Sequence, residues 1–315
     1  MEQIRRLLAC VIGLSTYFAY GAFPSSIATE TAVAIPGIGL TRSLGNHLFV
    51  HVLINDHPAW FVVDTGAALS VVDSTKAKAL GLPIGGSVYL PKQIEVNSRV
   101  VPVAFVKALR VGSRDLGPGP VALTDLHEFH TQLKGSDNAV NMDGIIGLDI
   151  LQWANAVIDC RNQRIYFETT EDHSGKEAVQ AARRNGSHRV PLSITKSGAL
   201  EVDGSIAQSN YSFVVDTGGF ATLIPLQVAK ETGVAIVGTA ANAKGIHSKA
   251  RPVGVAVASE VTLGKYSLGP MVVGVTGLPN GPDDLTHPFG GLLGADFLIG
   301  HNAIIDVGNK AMYFR

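Results

Sequence analysis

The sequence predicts a mainly β protein built as two similar lobes that face each other across a cleft. Two observations point there: a block of the first half recurs in the second, and within each half short apolar runs are broken by Gly, Pro, Asn and Asp every ten residues or so. FVVDTGAALSVVDSTKAKALGL (Phe61 to Leu82) returns 152 positions later as FVVDTGGFATLIPLQVAKETGV (Phe213 to Val234). The same offset relates GSRDLGP at Gly112 to GKYSLGP at Gly264. IIGLDIL at Ile145 and LLGADFL at Leu292 are offset by 147, and are followed at equal distance by AVIDCRNQRIYF and AIIDVGNKAMYF. The order is preserved, so the unit is duplicated, and two copies are too few for a solenoid. Two copies, each with its own core, read as lobes related by a pseudo-two-fold axis.

Along the chain, Arg5 and Arg6, an apolar run from Leu7 to about Phe18, and small residues at Ala19, Gly21 and Ala22 have the order of a secretory signal. The run falls short of the roughly 20 residues that span a bilayer. Residues 1–22 are therefore expected to direct export, to the periplasm or the exterior, with an uncleaved membrane anchor as the alternative. Cys10 has too few apolar residues before it for a lipoprotein box. If it leaves with the signal, Cys160 remains alone and no intramolecular disulfide can form. Residues 23–44 read as a spacer or N-terminal strand and 45–167 as the N-terminal lobe. Residues 168–188 read as a polar linker with two helical turns around Ala178 to Arg184, and 189–315 as the C-terminal lobe.

The clearest strands are LFVHVLI (Leu48 to Ile54), AWFVVD (Ala59 to Asp64) and VPVAFV (Val101 to Val106). Each DTG block runs on into one short helix. Asp73 or Ser74 caps the first and Gly81 stops it; Pro225 opens the second and Gly233 closes it. Apolar residues make up 46% and charged residues 16%, with 35 Gly and 15 Pro, which excludes disorder over most of the chain and fits many tight turns. A formal net charge of -1 leaves no basic surplus for nucleic acid or an acidic membrane surface.

An Asp-Thr-Gly turn after an apolar strand presents a carboxylate where Gly allows close backbone approach. One copy is ordinary turn chemistry. Two copies in a duplicated frame bring Asp64 and Asp216 together at the two-fold axis, where neighbouring carboxylates cannot both ionise easily and come to share a proton. Such a pair can hold a water, one carboxylate acting as general base and the other donating to a carbonyl. Its titration belongs to the pair.

These motifs resemble the aspartic peptidases of the pepsin and retropepsin group, in which the Asp-Thr/Ser-Gly turn is paired with a later apolar-apolar-Gly segment. Ile145-Ile146-Gly147 and Leu292-Leu293-Gly294 match that segment. The half-length, and Ala67 and Gly219 after the motifs, look like a retropepsin-type unit fused to itself; a pepsin usually has Ser or Thr there. The resemblance implies a bilobed acid-protease fold of two β-barrel-like lobes with a short helix each, and an endopeptidase using Asp64 and Asp216. Thr65 and Thr217 would cross-brace the lobes, and Gly66 and Gly218 would shape the turns. The group folds hairpin flaps over the cleft, with Ile94 and Val96, Gly245 and Ile246 as the counterparts here. It implies a peptide or protein substrate and no cofactor; no metal is expected from the residues, and a monomer is expected because the duplication already supplies both halves. With no hydroxyl at Ala67 or Gly219 to stabilise an ionised carboxylate, activity is expected to peak at mildly acidic to near-neutral pH.

Other signals are read as structural. Asp149 and Asp296 match, as do Asp159 and Asp306, but duplication explains matching, and Asp at turns satisfies backbone N–H groups. His127-Glu128-Phe129-His130 lacks metalloprotease spacing, and no GxSxG elbow, P-loop or dinucleotide fingerprint occurs. Trp60 and Tyr89 are assigned to the core, and the sequons at Asn185 and Asn210 carry no weight alone. The rival function is a non-catalytic binder of extended peptides on the same scaffold, which has no need of two carboxylates.

Overall fold

The computed structural model describes residues 12–13, 35–82, 93–96, 99–245, 250–278 and 281–315. Most of the expected export signal lies outside them, as do Tyr89 and Ile246. Among the described residues no helix is long and apolar enough to cross a membrane.

Each half folds around its own sheet. In the N-terminal sheet, Leu48–Ile54 pairs antiparallel with His57–Val63, which pairs in parallel with Gly144–Ile146, and that strand continues through Val71–Asp73 and Gly119–Thr124 to Arg99–Val106. The C-terminal sheet repeats this arrangement with Leu200–Ile206, Ser209–Val215, Phe289–Leu293, Leu223–Pro225, Tyr266–Thr276 and Arg251–Leu263. Leu48–Ile54 and Leu200–Ile206 share one inside–outside pattern, so the copies bury equivalent faces despite different residues. The chain is thus mainly β and bilobed.

A third, six-stranded sheet joins the halves. Ala156–Asp159 and Ile304–Asp306 pair antiparallel at its centre, flanked by Arg164–Phe167 and Ile38–Gly39 on one side, Ala311–Phe314 and His188–Pro191 on the other. The register at the centre is Val157 with Asp306, Ile158 with Ile305, and Asp159 with Ile304. Exchanging the two copies by the 147-residue offset turns the first pair into the last and leaves the middle one unchanged. The pseudo-two-fold axis therefore passes through the Ile158–Ile305 pair, both side chains of which are fully buried. Apolar burial of this kind stabilises the junction by about 25 cal/mol per Å² removed from water.

The segment between the halves holds a helix, Ser174–Arg184, longer than the two turns expected. Ala178 and Val179 are buried with Val157, Tyr166, Ile304 and Tyr313, so the helix caps one face of the joining sheet. Packing lengthens it where polar composition suggested little. The first of the two expected post-motif helices differs in the other direction. Residues 74–81 form consecutive turns, with Leu80 N–H on the Lys76 carbonyl and Leu82 N–H on that of Ala77. Asp73 accepts from the Thr75 N–H and hydroxyl, which holds the start of the stretch as a side-chain-bonded turn. The second is Leu226–Glu231, opened by Pro225 and followed by Gly233 at φ +70. Each lobe also has a short helix after its apolar-apolar-Gly segment, Leu148–Trp153 and Ala295–Gly300.

Candidate active site

Asp64 and Asp216 each follow a buried strand, His57–Val63 and Ser209–Val215, and each is held at its backbone by the parallel neighbour. Asp64 N–H donates to the Ile146 carbonyl at 3.0 Å and Asp216 N–H to that of Leu293 at 3.0 Å. Gly147 and Gly294 then pass so close to the turns that a Cβ on Gly147 would lie 2.5 Å from the Leu69 carbonyl carbon, and one on Gly294 would meet Ala221. This is why the apolar-apolar-Gly segment ends in glycine: the backbone must cross beneath the aspartate turn.

The two turns meet across the lobes. A Cβ on Gly66 would lie 2.5 Å from Asp216 Oδ1, and one on Gly218 would run into the Asp64 carboxyl group, so each glycine makes room for the opposite carboxylate. Beneath them the Thr65 hydroxyl donates to the Val215 carbonyl (2.7 Å) and accepts from the Thr217 N–H (3.1 Å). The Thr217 hydroxyl donates to the Val63 carbonyl (2.7 Å) and accepts from the Thr65 N–H (3.0 Å). All four groups are buried, and these four bonds fix the separation of the two carboxylates.

Both aspartates are fully buried. Asp64 Oδ1 accepts from the Gly66 and Ala67 N–H groups at 2.8 and 3.1 Å. Asp64 Oδ2 and both carboxylate oxygens of Asp216 have no well-aligned N–H or hydroxyl donor among the described residues; the two carboxyl groups are within reach of each other, and the Gly218 and Gly219 N–H groups lie near enough to ease negative charge on the pair. Carboxylate oxygens buried this way are costly to ionise together, and a proton shared between the two groups relieves the cost. Burial pushes the Asp64 carboxyl up to about 6; it raises Asp216 well above the ordinary carboxylate range, and the neighbouring Asp64 charge lifts it further. The pair can therefore hold one proton over a wide range of pH, the condition for a general acid and a general base side by side.

Asp149 and Asp296 lie away from the pair in matching clamps. Asp149 Oδ1 accepts from the Ser70 N–H (2.9 Å), the Ser70 hydroxyl (2.6 Å) and the Ile150 N–H (2.8 Å). Asp296 Oδ1 does the same with Thr222 and Phe297. The Ser70 and Thr222 hydroxyls in turn accept from Gly147 and Gly294. Each clamp fastens the residues after an aspartate turn to the segment that passes beneath it. Sequence reasoning overlooked Ser70 and Thr222, although a hydroxyl six residues after each aspartate, at the repeat's own offset, was there to be read.

Ile94 and Val96 belong to strand Gln93–Val96, which forms a hairpin with Arg99–Val106. Gly245 ends strand Ile236–Gly245, paired with Arg251–Leu263. The two hairpins occupy matching places in the two halves. His127 pairs with Asp125, and Glu128 with Lys244 of the other lobe. Cys160 is buried and unpaired, its thiol held far from ionisation by burial.

The family model described as aspartyl protease matches residues 50–150 and 202–297, one stretch in each half and together more than half of the 315 residues. Among solved structures, an aspartic proteinase from Irpex lacteus is similar at 12% identity with a TM-score of 0.47, over 88% of this chain and 96% of that one. No curated protein matches the chain.

Proposed function

Since the chain belongs to the aspartyl protease family, we propose that it is an aspartic endopeptidase in which Asp64 and Asp216 activate one water between them. The observation that supports this reading most directly is the mutual burial of the two carboxylates, each against the other copy's glycine.

In the proposed reaction a peptide lies extended in the cleft, its backbone hydrogen-bonded in strand fashion. The ionised carboxylate takes a proton from the water as it attacks the scissile carbonyl, while the protonated one donates to the carbonyl oxygen. The resulting diol collapses as the carboxyl that took the water's proton gives it to the nitrogen and the other carboxylate takes a proton from a diol hydroxyl; the C–N bond breaks, the amine and the carboxylic acid leave, and no covalent enzyme intermediate forms. The threonine bonds keep the two carboxyl groups at a fixed separation, and the raised proton affinity of the pair keeps one proton in place near neutral pH. The reading includes export of the chain and a monomer, since both aspartates come from one polypeptide.

The test compares cleavage of unfolded casein by wild type, Asp64→Asn and Asp216→Asn from pH 3 to 8, with folding of all three checked by circular dichroism. Loss of cleavage in both variants, with wild type active, supports the shared pair. A folded wild type that binds peptides and never cuts them would replace this reading with that of a peptide-binding protein.

A further inference from the structure

We propose that the N-terminal lobe closes one end of the cleft by touching the C-terminal lobe at two levels, so that the protein favours peptide bonds lying a few residues from one chain end. This rests on the peptidase reading above.

The closing wall has two parts, bound to each other. The turn around Ser43 and His47 is bonded to the small hairpin of His130–Gln132 and Ala139–Asn141: Leu44 N–H donates to the Gln132 carbonyl (2.9 Å) and Lys134 N–H to the Arg42 carbonyl (2.8 Å). Phe129 joins that hairpin through its carbonyl, which accepts from Met142 N–H at 2.9 Å. At the level of the cleft floor, Asn46 Nδ2 donates 3.1 Å to the carbonyl of Phe220, four residues past Asp216. Arg42 donates to Asn46 Oδ1 and so sets which way the amide faces. At the level of the hairpins, Glu128 pairs with Lys244, next to Gly245 of the opposite lobe, and the Lys244 ammonium lies 5.9 Å over the Phe129 ring. One wall thus reaches the other lobe both beside the aspartates and beside the hairpin.

At the level of the cleft floor, the described residues show no such closure at the other end. The counterpart of Asn46 in the second copy is Gly198, which has no side chain to reach Ala68 as Asn46 reaches Phe220. The first copy is also five residues longer across the stretch that holds the wall hairpin, the step from the 152 to the 147 offset. An extended peptide advances about 3.3 Å per residue, so a chain laid along the cleft must meet the wall within a few residues on that side or displace it. Displacement costs one part-buried hydrogen bond and one exposed ion pair, with side-chain exposures of 40% and 57% for Lys244 and Glu128. Such contacts set a preference of about two- to tenfold rather than an absolute barrier.

The test takes the site in unfolded casein that is cut first and places it in synthetic peptides with two to eight residues on either side. For wild type, kcat/KM should fall about two- to tenfold as residues are added on one side and stay level on the other. Asn46→Gly combined with Lys244→Met should flatten that dependence; Asn46 sits at φ +68, so glycine there is conformationally safe. Glu128→Gln, which leaves the backbone contact intact, should flatten it in part. Anisotropy of the same peptides on Asp216→Asn reads the preference as affinity, whether or not the chain cuts. Equal response to length on both sides, or the same profile in wild type and the opened variant, overturns the wall. Absence of any cleavage by folded wild type overturns the peptidase reading instead, and the affinities still decide the wall.

Discussion

Replacing Asp64 by Asn should stabilise the folded protein at neutral pH and do little at low pH. The amide has the carboxylate's shape: its oxygen can accept from Gly66 and Ala67 as Oδ1 does now, and its nitrogen can donate to Asp216 beside it. The sign follows from linkage. Burial raises Asp64 from the ordinary 3.8 to about 6, so the native state binds more protons than the unfolded chain between those values. The stability Asp64 contributes is full below its unfolded pKa and is lost as pH rises through about 6. At pH 7 the difference has been lost, on the order of 3 kcal/mol for the pair as a unit, and Asn, which takes the charge away from both carboxyl groups, does not incur it. At roughly 2 °C per kcal/mol for a chain of this size, Tm should rise on the order of 5 °C at pH 7. Calorimetry of wild type and variant at pH 3.5 and 7, with intact mass checked after each scan so that self-cleavage is not read as unfolding, measures both shifts. Equal shifts at the two pH values, or none at pH 7, would refute the claim that Asp64 is ionised at a cost in the folded protein.

Initial rates on unfolded casein should peak at mildly acidic to near-neutral pH, because burial raises both carboxyls and neither Ala67 nor Gly219 offers a hydroxyl; a maximum below pH 3 would contradict this. Ala67→Ser places a donor beside Asp64 and should move the acid limb of that profile to lower pH, which the same assay reads. Thr65→Val and Thr217→Val each strip two buried partners, so each should cost about 2–4 kcal/mol in guanidinium unfolding, and the double variant should cost less than their sum. Ser70→Ala leaves Asp149 and the Gly147 N–H without the hydroxyl between them and should cost about 1–3 kcal/mol, with Thr222→Val matching it in the other lobe.

What could be read from the sequence was what the duplication repeats. Phe61 to Gly66 recurs unchanged in Phe213 to Gly218, and identical residues in a repeated frame announce both the strand and its turn. The joining sheet was less visible, because AVID and IID look like any buried strand; their antiparallel register about Ile158 and Ile305 follows only once both lobes are folded. The clamps of Ser70 and Thr222 pair residues more than 70 positions apart, beyond the reach of local periodicity. Turns at 74–81 stand where a helix was expected although the signal at Asp73 was real, because Asp73 bonds Thr75 in a local turn. Asn46 was illegible for a different reason: a contact between lobes at a residue the copies do not share leaves no mark in a repeat.

Housing both copies in one polypeptide changes what dilution can do. Two separate subunits would have to meet before their aspartates could pair, and the fraction assembled would fall with concentration. Here the segment that holds Ser174–Arg184 and the sheet centred on Ile158 and Ile305 tether the partners, giving one copy a fixed effective concentration around the other. On the proposed peptidase reading, specific activity should stay constant as the chain is diluted. Tethering also frees the copies from having to be alike: an identical pair would carry Asn46, and its reach to the other copy, twice, whereas the fused pair keeps Asn46 in one half and Gly198 in the other.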